Sequence, residues 1–160
     1  TLALCYQQTP RSDWRAYLES WGDAIYRQMP RTEEGCLQHV TYENPHHQQI
    51  WDDTLMMAVL PLAMLGKMFD KPRWVEEAKF QFLQHLHYLS DHQSGLWFHG
   101  WHFDGRHHFA GALWARGNSW ITLAIPELLE MLELDEHDAF YRQLQNTLQI
   151  QVFRRANSRS

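Results

Sequence analysis

Cysteine is scarce in this chain. Cys5 and Cys36 are its two examples, without C-x-x-C spacing or the company of a metal knuckle, which leaves no disulfide framework and points to a reducing compartment. Basic residues are also outnumbered: 14 Lys and Arg stand against 19 Asp and Glu, a net charge of −5, so the electrostatic footprint of a nucleic-acid partner is missing. No apolar run reaches the roughly 18 residues of a membrane span, and no basic segment leading into a short apolar run opens the chain. The expectation is a cytoplasmic protein with no membrane partner. Phosphate loops of the G-x-x-x-x-G-K-[ST] type and the G-x-S-x-G elbow of serve-all serine hydrolases do not occur either.

Aromatic residues, by contrast, are abundant, with eight Trp in 160 residues, enough chain for one domain with a real core. Trp14, Tyr17, Leu18, Trp21, Ala24, Ile25 and Met29 recur at three- and four-residue steps and predict a helix over 13–29 that Pro30 ends. Residues 31–45 lack helical period and read as loop or short extended structure. A second helix is expected over 48–69, bent near Met57 because Pro61 removes an N–H. Further helices are expected over 71–89, 118–134 and 135–153, with a polar, disordered tail at 154–160. Between them, residues 90–117 form a long loop rich in Trp, His and Phe, and loops of that length in compact domains are usually functional or disordered. Disorder goes with few aromatics, so function is the better reading. No stretch alternates convincingly as a strand. The predicted class is all-α, built from helical hairpins whose nearly apolar members lie on an inner ring.

One stretch carries the strongest chemical signal. From Ile50 to Leu65 the chain is almost wholly apolar, yet Asp52, Asp53 and Thr54 sit near its start. A carboxylate buried there takes up a proton readily, which suits a general acid; the plainer alternative is that one Asp caps the helix and the other is solvated. The histidine pairs His46-His47, His85-x-His87, His99-x-x-His102 and His107-His108 match no metal-ligand spacing with an acidic third ligand, so no metal or other cofactor is expected. Trp97, Trp101, Trp114 and Trp120, interleaved with polar groups, suit the apolar faces of a sugar, although Trp120 on a helix also fits as core. Arg116 and Gly117 at a helix entry favour an anion, where a guanidinium forks onto a carboxylate; pairing of Arg116 with Glu127 is the alternative.

Three pieces taken together resemble a known family. They are Pro30-Arg31-Thr32-Glu33-Glu34-Gly35 running into Gln38-His39; Gln49-Ile50-Trp51-Asp52-Asp53-Thr54-Leu55-Met56-Met57-Ala58-Val59 followed by Pro61-Leu62-Ala63; and Gly95-Leu96-Trp97-Phe98-His99-Gly100-Trp101 leading to Trp114-Ala115-Arg116-Gly117-Asn118-Ser119-Trp120. In this order they resemble the unsaturated rhamnogalacturonyl hydrolases, glycoside hydrolase family 105, and more distantly the unsaturated glucuronyl hydrolases of family 88.

The resemblance implies a partial (α/α)6 barrel and an oligosaccharide substrate bearing a 4,5-unsaturated uronyl residue. It further implies hydration of the C4=C5 double bond rather than the two-carboxylate displacement of ordinary glycosidases. Asp53, at the aspartate of the W-x-D-T/G-L-x-M pattern, becomes the expected general acid and base, while Asp52 falls on the family's variable position. His39, His99, Trp114, Arg116 and Trp120 become the expected substrate-binding residues, with Arg116 on the uronate carboxylate. Such a barrel has twelve helices and this chain reads as about five, so a fragment is expected, with a second family aspartate falling before Thr1. A half-barrel exposes apolar faces, hence an expected homodimer through its inner helices. The rival expectation is an inactive helical module that binds carbohydrate or a protein.

Overall fold

A computed structural model describes residues 2–42, 44–109 and 111–157. Among them the chain forms α1 (Leu2–Gln8), α2 (Ser12–Gln28), β1 (Gln49–Trp51), a π-helical turn (Leu55–Val59), α3 (Leu60–Met68), α4 (Pro72–Leu89), β2 (Gly100–His102), α5 (Ala115–Met131) and α6 (Ala139–Asn157). The all-α expectation holds, and the helices pack as consecutive hairpins. α3 is central, touching α2, α4 and α5. Its Leu60, Leu62, Ala63, Leu65 and Gly66 are all buried, as a helix apolar on most sides requires. Burial of each of the three leucine side chains contributes about 1.5–3 kcal/mol relative to leaving it in water. α2 reaches the same core by laying Gly22 against the Trp74 ring of α4, so closely that a Cβ there would lie 2.2 Å from the indole.

α2 and α4 follow the expected bounds within a residue or two, because periodicity, proline and dipole agree at each. α2 carries Asp13 in its first turn and Arg27 in its last, and α4 opens on Pro72. The helix expected over 48–69 differs. Gln48 has a positive φ of 53°, and its N–H donates to Gln38 Oε1 at 2.7 Å rather than to a helical carbonyl. Residues 49–51 then run extended as β1, and helical structure begins only at Asp53, passing into the π turn at Leu55. The bend expected near Met57 takes the form of the π turn, in which the Leu60 N–H reaches back to the Leu55 carbonyl. That local unwinding is how the chain accommodates Pro61.

The expectation of no strands is likewise overturned. β1 and β2 pair antiparallel, with Gln49 opposite His102, Ile50 opposite Trp101 and Trp51 opposite Gly100. The segment 90–117 is therefore not loop throughout: it holds β2, and α5 starts at Ala115, three residues before the expected start. α6 starts at Ala139 because the Asp138 carboxylate accepts the N–H groups of Phe140 and Tyr141, at 2.7 and 3.2 Å, as an N-cap does. α6 continues to Asn157, so residues 154–157 of the expected tail are helical and 158–160 lie outside the described residues. No helix among the described residues is long and apolar enough to cross a membrane.

Candidate active site

The two-stranded ladder ends where the chemistry begins. Its register places Asp52 and His99 as the next opposed pair, and the backbone agrees, since the Asp52 N–H donates to the His99 carbonyl at 3.0 Å. Their side chains repeat the connection: His99 Nδ1 donates to Asp52 Oδ1 at 2.9 Å. Asp53, the first residue of the helical turn that follows, brings its Oδ2 to 3.5 Å from the same nitrogen. One N–H therefore faces two carboxylates, and the shorter contact is to Asp52.

The two acids have different surroundings. Asp52 has a fully buried side chain, against 15% exposure for that of Asp53. Gly117 shuts Asp52 in, since a Cβ on that residue would lie 1.8 Å from Asp52 Oδ2. Burial pushes Asp52 up to about 6, opposed by the His99 hydrogen bond and reinforced by Asp53. His99 moves upward in turn, chiefly through the bond to Asp52, with burial and the Arg116 charge acting the other way. Asp53 Oδ2 is buried and has no hydrogen-bond partner among the described residues.

An aromatic wall surrounds this cluster. Trp51 lies 4.2 Å from His39 in a near-parallel stack, 4.9 Å from His99 and 5.9 Å from Phe109. The Trp114 ring meets His99 edge-on at 4.9 Å, and the Arg116 guanidinium lies 3.9 Å above Trp114. Stacking of this kind holds a planar cation without using up its N–H donors. Among the described residues Arg116 has no ion pair, so the alternative pairing with Glu127 is not made. His39 exchanges a 2.9 Å hydrogen bond with Thr54 Oγ1, and burial drops it to about 4, so it is neutral near pH 7. Trp120 stands four residues beyond Arg116 and shares its face of α5. It has no ring contact with the cluster among the described residues, and its indole N–H is buried and unpartnered.

Supporting contacts explain the family-like motifs that carry no reactive group. Arg31 ties the loop after α2 to α4 by donating to Glu77 at 2.7 Å and to the Gly35 and Tyr26 carbonyls. Asn118, buried at the start of α5, accepts from the Trp97 N–H at 2.8 Å and donates to the carbonyls of Trp97 and Trp114. That amide clamps the aromatic loop to α5. Trp51 and Asn118 went unassigned in the sequence reading, the first because its neighbours come from distant segments and the second because a buried clamp has no local signature. Asp52, at the motif's variable position, makes the shorter contact to His99 of the two acids.

Asp52, Asp53 and His99 offer three ligand atoms within 4.8 Å of one another. A hollow of about 200 Å³ lies beside the cluster, lined by His39 and Thr54 together with Trp21, Met29, Val40 and Met57. A larger cavity, about 750 Å³, lies between the end of α4, the 90–97 turn and α6, and includes none of the expected site residues.

A sequence profile described as Glycosyl Hydrolase Family 88 matches residues 1–157. The chain belongs to glycosyl hydrolase family 88. Within and around that family it is 32% identical over 129 residues to the unsaturated rhamnogalacturonyl hydrolase YesR of Bacillus subtilis, a match covering 78% of this chain and 37% of YesR. It is 32% identical over 84 residues to an unsaturated 3S-rhamnoglycuronyl hydrolase of an Alteromonas species, covering 51% of this chain and 20% of that protein. A crystal structure from Klebsiella pneumoniae, described as a possible member of the GH105 family, superposes with a TM-score of 0.95 at 50% identity, covering 98% of this chain and 41% of that one. A family 105 glycoside hydrolase from C. acetobutylicum shares the fold, with a TM-score of 0.80 at 23% identity. The resemblance to families 105 and 88 seen in the motifs is therefore sound, and the helical array is part of an (α/α) barrel. This family 88 chain spans about two fifths of the length of YesR and of the Klebsiella structure.

Proposed function

We propose that the chain forms the catalytic part of a glycosidase acting on oligosaccharides that end in a 4,5-unsaturated uronyl residue, such as the unsaturated rhamnogalacturonan disaccharide. The observation that carries this reading is the division of labour between the two acids. A general acid has to reach the reacting atom, and the Asp53 side chain is partly exposed, whereas that of Asp52 is fully buried and closed off behind Gly117. Both named curated relatives are hydrolases of unsaturated sugars, which supports the substrate class.

In this scheme Asp53 delivers its proton to C4 of the double bond, and positive charge develops at C5 and the ring oxygen. A water adds at C5 and returns a proton to Asp53, so the carboxyl ends as it began. The hemiketal so formed opens and releases the neighbouring sugar. Arg116, its guanidinium over the Trp114 ring, forks onto the uronate carboxylate. Neutral His39, the His99 imidazole and the indoles of Trp114 and Trp120 supply hydrogen bonds and apolar faces for the ring.

The test follows the ultraviolet absorbance of the conjugated double bond during incubation with an unsaturated rhamnogalacturonan disaccharide. The expected result is a loss of absorbance that Asp53→Asn abolishes without changing the circular dichroism spectrum. Steady absorbance with the parent chain, or full activity in the variant, overturns the proposal.

A further inference from the structure

The two acids compete for one proton donor. His99 Nδ1 lies 2.9 Å from Asp52 Oδ1 and 3.5 Å from Asp53 Oδ2, and a single N–H forms one good hydrogen bond. Asp52 holds it with help that Asp53 lacks. The backbone bond from the Asp52 N–H to the His99 carbonyl fixes the two residues opposite each other, and Gly117 leaves the carboxylate nowhere else to go. The outcome is visible on Asp53, whose Oδ2 sits beside an imidazole yet accepts no hydrogen bond from it or from any other of the described residues.

We propose that Asp52 is a positioning residue whose task is to withhold the His99 N–H from Asp53, keeping the catalytic carboxyl free to give and take a proton. This rests on the reading of Asp53 as the acid and base. Were His99 to bond Asp53 directly, the charged pair would stabilise the carboxylate and make it a poor proton donor to C4. The Asp52 bond also sets the ring: with Nδ1 protonated, the neutral imidazole carries its lone pair on Nε2. The other charged or titratable groups that face this imidazole are Asp53 itself, His39 from the loop before β1, and Arg116 from the start of α5. None of these three accepts from Nδ1 as Asp52 does.

The test reads the Asp53 carboxyl by carbon-13 NMR titration of the chain without substrate, so its result stands whether or not the parent chain hydrolyses the disaccharide. In Asp52→Ala, which removes both the competing acceptor and a neighbouring negative charge, the Asp53 midpoint is expected to fall by about 1.5 pH units as His99 turns to it. Asp52→Asn removes the same charge but keeps an oxygen that accepts from Nδ1, so its Asp53 midpoint is expected to fall less and to lie about one pH unit above that of Asp52→Ala. With substrate, Asp52→Ala is expected to lower kcat roughly tenfold while KM changes less than about twofold, the pattern of a lost transition-state contribution. An unmoved Asp53 midpoint in Asp52→Ala overturns the proposal, as does an equal fall in both variants. Should Asp52→Ala not fold, nitrogen-15 spectra of the parent decide: above the His99 titration the neutral ring is expected as the Nδ1–H tautomer, and the Nε2–H tautomer overturns the proposal.

Discussion

Gly117 and Asp52 compete for the same volume: the helix start of α5 closes over the Asp52 carboxylate, and a Cβ on Gly117 would stand 1.8 Å from its Oδ2. The conflict decides how Gly117→Ala behaves. Alanine in a helix normally gains up to about 1 kcal/mol over glycine, whereas forcing extra volume into a packed interior costs about 1–3 kcal/mol. Contact with a fully buried carboxylate anchored to His99 through Oδ1 puts this site at the upper end of that cost. The variant is expected to be less stable by about 1–2 kcal/mol in urea unfolding. A stabilised variant contradicts the packing described here.

Asn118 is expected to be equally intolerant, for a different reason. Its amide satisfies the Trp97 N–H and two carbonyls in a buried place, and Asn118→Ala leaves those groups without partners. An unsatisfied buried group costs about 1–3 kcal/mol, so a loss of roughly 3 kcal/mol is expected in the same measurement. A change below about 0.5 kcal/mol, the size of an ordinary surface substitution, refutes the clamp.

Much of this arrangement was legible in the sequence, and the rest was not, for identifiable reasons. α2 and α4 show in apolar periodicity together with Pro30 and Pro72, because helical order depends on near neighbours. The bend forced by Pro61 was equally local. β1 and β2 are three residues each, too short to show alternation, and their partners lie 49–53 positions apart in the chain. The Asp52–His99 pairing inherits that invisibility, since it extends the same ladder. Asp53 stood out in a motif, but the motif alone left Asp52 without a task.

His85 makes the stability depend on pH. Its ring is fully buried, Nδ1 donates to the Gln81 carbonyl at 2.8 Å, and burial drops it to about 4 from an ordinary 6.5. A group depressed in the folded state binds fewer protons there than in the unfolded chain. Stability from this residue is therefore unaffected above pH 6.5, falls as pH drops from 6.5 to 4, and levels off below. The full penalty is about 3 kcal/mol. In His85→Asn the slope of unfolding free energy against pH in that window is expected to lessen by about one proton, and an unchanged slope contradicts the assignment.

Arg116 is exposed to solvent yet its guanidinium carbon lies 3.9 Å over the Trp114 ring, which suits a binding role more than a structural one. Arg116→Ala is expected to raise KM for the unsaturated disaccharide about ten- to hundredfold, the value of one or two charge-assisted hydrogen bonds, with little effect on unfolding. Arg116→Lys is expected to recover only part of that loss, because an ammonium does not fork. An unaltered KM in both variants removes Arg116 from the uronate.

The most direct test of the account is where the proton goes. With the unsaturated disaccharide in heavy water, NMR of the released uronate is expected to show one deuterium at C4 and no remaining double bond, with no such product from Asp53→Asn. A product that keeps its double bond and carries no deuterium at C4 shows ordinary glycosidic cleavage instead, and contradicts proton delivery by Asp53.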